Sequence, residues 1–200
     1  DKGARSRADR VKPPEKPVVP AGDPSRHLER SDLDAGLVAL PPAPRDRGSV
    51  FLIVRRLPDH TRETPDRVTL TPKGGLPGDN WARRMPLNPD AQIAVMRRDV
   101  AELIANSQSL TLFGDNLFVD LDITAAAQPP GTRLRVGKAT VEVSPKPHNG
   151  CRQFAQRFGH DALRLTADPA TRHLNLRGIY WRVVEAGEVA IGDPIIRLAR

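Results

Sequence analysis

A single cysteine, Cys151, serves the whole 200-residue chain. That scarcity excludes an intrachain disulfide and every metal or redox motif built on two cysteines. Such usage suits a reducing compartment, so a cytoplasmic protein is expected. No apolar run approaches the roughly 20 residues that a membrane helix needs, and no charged-then-apolar leader opens the sequence, so no membrane association is expected. Aromatic residues are absent from residues 1–48, which hold eight of the twenty prolines and mixed charge. A segment of that kind buries too little to offset its ordering entropy, and it reads as a proline-rich extended or disordered tail. Residues 49–200 are left as the folded domain.

The formal charge is +7, and most of the excess is local: residues 144–182 carry seven basic side chains against two acidic ones. This stretch surrounds the cysteine, and it fits either a solvated face or a pocket for an anionic small molecule. No nucleic-acid partner is expected, because the basic residues form no long run and no recognition motif accompanies them.

Within the domain, "SVFLIV" is an apolar, β-branched run that reads as a buried strand, and Val68 and Leu70 alternate with polar neighbours. In "PDAQIAVMRRDVAELIANS", Ile93, Met96, Val100, Leu103 and Ile104 fall at helical spacing, which predicts one helix with Asp90 as its N-cap. "TRLRVGKATVEV" reads as a hairpin that turns at Gly137-Lys138, and "GIYWRVVEAGEVAIGDPIIRL" supplies further strands. Short strands separated by glycine turns, with few helices, give a mainly β, α+β fold: a barrel or sandwich with peripheral helices.

The chemistry concentrates in "SPKPHNGCRQFAQRFGH". Phe154 and Phe158 would share a helical face, so a helix is expected from about Asn149, acting as cap, to Gly159, with Cys151 in its first turn. Free N–H groups there, with Lys146, Arg152 and His148 close in sequence, favour a thiolate that can act as nucleophile, sulfur carrier or soft-metal ligand. The competing reading is a small packed hydrophobe. One His and one Cys are too few ligands for zinc.

Taken in order, "GLPGDNWARR", "DAQIAVMRRDVAELIA", "GDNLFVDLDIT", "PPGTRLRVGKATVEVSPKPHNGCRQFAQRFGHDALRL" and "LRGIYWRVVEAGEVAIGDPI" resemble a MOSC domain, the family named after the C-terminal domain of molybdenum-cofactor sulfurases. The resemblance covers residues 49–198. It implies a β-barrel resembling that of the pyruvate-kinase insert domain, and it makes Cys151 the reactive residue, as a molybdenum ligand or a persulfide sulfur carrier. Some relatives reduce N-hydroxylated compounds with electrons from a redox partner; others exchange sulfur with a donor or acceptor protein. The implied cofactor is molybdopterin-bound molybdenum. Pyridoxal phosphate is not expected, because the chain lacks a candidate module for it. Lys146, His148, Asn149, Arg152 and Arg177 are candidates for holding the pterin and its phosphate, with Asp79 and Asn80 as hydrogen-bonding partners from the Gly-rich loop. Asn116 reads first as a turn former. Trp81, Tyr180 and Trp181 fit either a pterin wall or the barrel core. The alternative from another class is a non-catalytic barrel that binds an anion or a protein and merely packs its cysteine.

Overall fold

The computed structural model describes residues 19–199. Among them, seven strands close into a barrel, and two short ribbons and four helices surround it. In chain order the elements are α1 (Arg30–Ala39), β1 (Arg47–Ile53), β2 (Arg55–Arg56), β3 (Arg62–Glu63), β4 (Arg67–Leu70), β5 (Ile93–Arg97), α2 (Arg98–Ala105) and β6 (Leu117–Asp120). They continue as β7 (Arg133–Val136), β8 (Ala139–Val143), α3 (Arg152–Phe158), α4 (His160–Ala167), β9 (Ile179–Glu185), β10 (Gly187–Ala190) and β11 (Pro194–Arg197). Around the barrel the order is β1-β11-β7-β8-β9-β5-β6, with β6 returning to β1; β4 pairs with β10, and β2 with β3.

Alternation builds the barrel. Leu134, Val136, Val141 and Val143 are buried on one face of the β7–β8 hairpin, in register Leu134↔Val141 and Val136↔Ala139. Gly137 turns that hairpin at φ 55, a backbone that glycine adopts without a Cβ penalty. With Val50, Ile53, Ile93, Val95, Leu117, Trp181, Val183 and Ile195, these side chains fill the barrel interior. A second apolar layer, including Met96, Val100, Ile104, Phe113, Phe118, Phe154, Phe158 and Leu165, lies between the barrel and the helices. Full burial of one such aromatic contributes roughly 1.5–3 kcal/mol.

The single helix expected over residues 89–107 is two elements. Ile93–Arg97 is a strand, antiparallel to β9 and parallel to β6, and only Arg98–Ala105 is helical. The strand is buried on both faces: Ile93 and Val95 enter the barrel interior while Met96 enters the outer layer. An apolar run covered on both sides loses its period-2 signature and falls by chance on the helical period. Asp90 caps nothing; the side chain of Asn88 caps the 3-10 turn Pro89–Ala91 instead.

The segment expected to be an extended or disordered tail lies partly outside the described residues, at 1–18. From residue 19 onward it is built into the domain. Helix α1 buries Leu33 completely in the outer layer, and Arg30 donates from its backbone N–H to Asp161 at 3.0 Å and from Nη2 to Asp168 at 2.8 Å, at the two ends of α4. Composition averaged over residues 1–48 hides this short stretch, in which one leucine and two ion pairs do the anchoring.

Candidate functional site

Helix α3 forms where sequence spacing expects a helix, and Phe154 and Phe158 hold it to the barrel. Phe158 stacks on Phe113 at 4.0 Å between centroids, and Phe154 lies 6.0 Å from the same ring. The helix stops at Gly159, whose φ of 95 suits glycine and whose missing Cβ leaves room for the His27 ring. The start differs from expectation. Cys151 is itself the N-cap residue, with extended backbone and no side-chain cap, and its carbonyl accepts from Ala155 N–H at 3.1 Å. Asn149 is exposed and caps nothing. Two prolines and Gly150 in "PKPHNG" keep the chain extended and delay nucleation. The Cys151 side chain is exposed, which overturns the packed-hydrophobe reading.

Behind this loop lies a buried polar cluster. The His148 ring packs on Tyr180 at 4.3 Å, and its Nδ1 sits 3.5 Å from Asp115 Oδ1. The other Asp115 oxygen accepts from Arg177 Nη1 at 2.6 Å, and the Arg177 guanidinium lies 5.0 Å above the Phe154 ring. Gly178, at φ 101, permits this closeness: a Cβ there would meet Val95 O at 2.3 Å and His148 Nδ1 at 3.2 Å. Burial pushes the Asp115 carboxyl up, with Arg177 and Arg56 opposing it. His148 is held well below the usual imidazole range, chiefly by burial and then by the positive charges of Arg177, Arg56 and Lys146. Its imidazole is therefore neutral, while Asp115 pairs with Arg177. Three buried atoms in the cluster, Asp115 Oδ1, His148 Nδ1 and Arg177 Nε, have no hydrogen-bond partner among the described residues.

A second network accounts for the Gly-rich-loop candidates. Asp79, 1% exposed, accepts from the Arg56 backbone N–H at 2.7 Å, from Arg56 Nη2 at 2.6 Å, from Trp81 N–H at 2.9 Å and from Asn116 Nδ2 at 3.0 Å. Asn80 donates to Leu57 O at 3.0 Å. Asn116 is fully buried; it accepts from Ala94 N–H and donates to Val54 O as well as to Asp79, so it knits β1 to β5 rather than forming a simple turn. Arg56 joins the two networks, since its Nη1 donates to the carbonyl of Gly114, next to Asp115. Trp181 is core, Trp81 donates to Asn88 O, and Tyr180 alone of the three faces the cysteine loop through His148.

Lys146 and Arg152 are exposed and form no ion pair among the described residues. Beside them a cavity of about 250 Å³ is lined by His148, Asn149, Arg172 and Arg177. The structure thus brings together Cys151, Lys146, His148, Asn149, Arg152 and Arg177 around one loop, and it engages Asp79 and Asn80 in packing contacts. Sequence reasoning missed Asp115 and Arg56. The "GDN" of residues 114–116 contained the signal, but the acid in it was passed over for its neighbour. Arg157 was also passed over: it is buried, donates to Leu112 O at 2.7 Å and to Pro20 O at 3.0 Å, and lies within electrostatic reach of Cys151.

A closed barrel with an exposed cysteine at the start of a rim helix, backed by a buried Asp–Arg pair, defines the class. The family model of the MOSC domain matches residues 79–196, and the chain belongs to that family. In fold it is similar to a hypothetical protein of known crystal structure (22% identity, TM-score 0.57, covering 78% of this chain and 69% of that one). It is likewise similar to YiiM from Escherichia coli (21%, 0.53, 76% and 70%) and to the YUAD protein from Bacillus subtilis (14%, 0.54, 77% and 97%). None of the curated proteins compared with the chain matches it. Among the described residues no helix is long and apolar enough to cross a membrane, and no group of three or more His, Cys, Asp or Glu side chains could hold a metal ion.

Proposed function

We propose that this MOSC domain serves the molybdenum cofactor through Cys151, as a reductase of N-hydroxylated compounds. The observation that carries the reading is an exposed soft thiolate ligand, placed beside cations without acidic partners, at the mouth of a cavity reached by Arg177 and His148. The donor set fits this group and not a bare ion. With no cluster of three ligating side chains among the described residues, a metal at Cys151 has to arrive with its other ligands, as molybdenum bound by a pterin dithiolene does. When bound, the metal supplies the two-electron reduction of an N–O bond, with two protons leaving as water and the electrons coming from an external redox partner.

The chain's own residues hold and orient. Cys151 offers sulfur from the extended N-cap backbone. Lys146 and Arg152 are free to meet phosphate oxygens, and Arg172 adds to the same rim. Arg177 is already spent on Asp115, so its part is to fix the loop: the pair, together with the His148–Tyr180 contact, ties the strand-9 edge to the cysteine segment. A second reading has an observation of its own. Exposure of Cys151 also suits a persulfide passed to an acceptor protein.

The two are separated by one experiment. Protein reconstituted with the cofactor is assayed for reduction of an N-hydroxylated base with an artificial electron donor, and intact mass is recorded after treatment with a sulfur donor. Reduction that is lost in Cys151→Ala supports the reductase; a +32 Da adduct on Cys151 with no reduction supports the carrier. Reduction unaffected by Cys151→Ala rejects both.

A further inference from the structure

Next to the cysteine loop, on the side away from the thiol, is a larger cavity of about 480 Å³. Cys151 does not line it, and nothing said of it here rests on the molybdenum reading. Its polar lining includes Gln128, Lys146, His148, Arg172, His173 and Asn175, while prolines and Ile179 form apolar walls. Gln128 is the unusual member. It is 1% exposed, and neither its amide nitrogen nor its amide oxygen has a hydrogen-bond partner among the described residues. A buried carboxamide with both ends unmet carries a desolvation cost that a partner removes, and buried polar groups of this kind are otherwise rare. Asn175, by contrast, is satisfied by Ile123 O at 2.8 Å. The rim holds three exposed basic side chains, Lys146, Arg172 and His173, and none of them forms an ion pair among the described residues.

We infer that this cavity is a binding site for a flat heterocycle that presents an N–H beside a carbonyl and carries a phosphate or carboxylate. The carboxamide of Gln128 donates to such a carbonyl and accepts from the adjacent N–H, which satisfies both of its unmet atoms at once. Apolar walls cover the ring faces, and the cationic rim meets the anion. The volume suits a mononucleotide-sized ligand, within the roughly 300–1,000 Å³ usual for small-molecule pockets.

The test titrates the full chain calorimetrically with inosine 5′-monophosphate, whose base offers the lactam edge, and with inosine and ribose 5-phosphate separately. Saturable binding of the nucleotide is expected, weaker for either fragment. Gln128→Met keeps the volume and removes the pairing edge, and it should weaken binding by about tenfold or more. Replacing Lys146 and Arg172 by Ala should weaken the nucleotide but not inosine. Because the amide meets nothing in the free protein, Gln128→Met should melt at or above the wild-type temperature. The inference is overturned by absence of saturable nucleotide binding, by ribose 5-phosphate binding as well as the nucleotide, by equal affinity in Gln128→Met, or by a Gln128→Met protein that melts several degrees lower, which would mean that the amide already has a partner.

Discussion

Replacing Asp79 by Ala separates a packing role from a ligand-binding one. The carboxylate is 1% exposed and faces Arg56, whose side chain is 14% exposed, so the variant strands a guanidinium in a poorly hydrated site. It also leaves Trp81 N–H and Asn116 Nδ2 without their acceptor. Arg56 holds the Asp79 carboxyl below its usual range against burial, so the charge is present at neutral pH. Breaking a buried pair from one side costs about 3–5 kcal/mol. For a chain of this length that corresponds to a melting temperature lower by roughly 6–20 °C. Urea unfolding followed by tryptophan fluorescence reads the change, since Trp81 is in the network and Trp181 in the core. A loss below about 1 kcal/mol would refute the reasoning and return Asp79 to the list of ligand-binding residues.

The other expectations follow from the same contacts. Leu33→Ala removes a fully buried side chain and should cost about 2–5 kcal/mol in urea unfolding; a cost near zero would show that α1 is not part of the outer core. His148 should give stability a pH slope. Its folded value lies well below the ordinary 6.5, so as the pH falls below 6.5 the unfolded chain takes up a proton that the folded chain refuses, and stability is lost. Asp115, raised by burial, acts in the opposite sense, losing stability as the pH rises above its ordinary 3.8. The difference between wild type and His148→Gln isolates the histidine. That difference should change between pH 7.5 and pH 5, and parallel curves would contradict the burial of a neutral imidazole.

Where local pattern and final environment agree, the fold was readable. The β7–β8 hairpin alternates because one face meets the barrel interior and the other meets solvent, and Phe154 and Phe158 share a helical face because Phe113 lies beneath both. Strand β5 was read as helix because both of its faces are covered, and α1 was read as tail because a single buried leucine carries it. Cys151 stood out by scarcity and charge. The Asp115–Arg177–His148 cluster did not, because its members lie 33 and 29 residues apart along the chain and meet only when β9 and the loop after β8 close the barrel. Asp79 and Asn116 looked like turn or pocket residues because short polar side chains next to glycine usually are. Their partner Arg56 sits more than twenty residues away from Asp79, and no local pattern announces it.

The central claim is that Cys151 is the residue through which this domain engages molybdenum. Molybdenum and pterin bound per chain, measured by elemental and fluorescence analysis after reconstitution and desalting, test it most directly in wild type and Cys151→Ser. The account gives stoichiometric molybdenum in the wild type and loss of the metal in the variant, with melting temperatures unchanged because the side chain is exposed. Equal molybdenum in both proteins, or none in either, would contradict it.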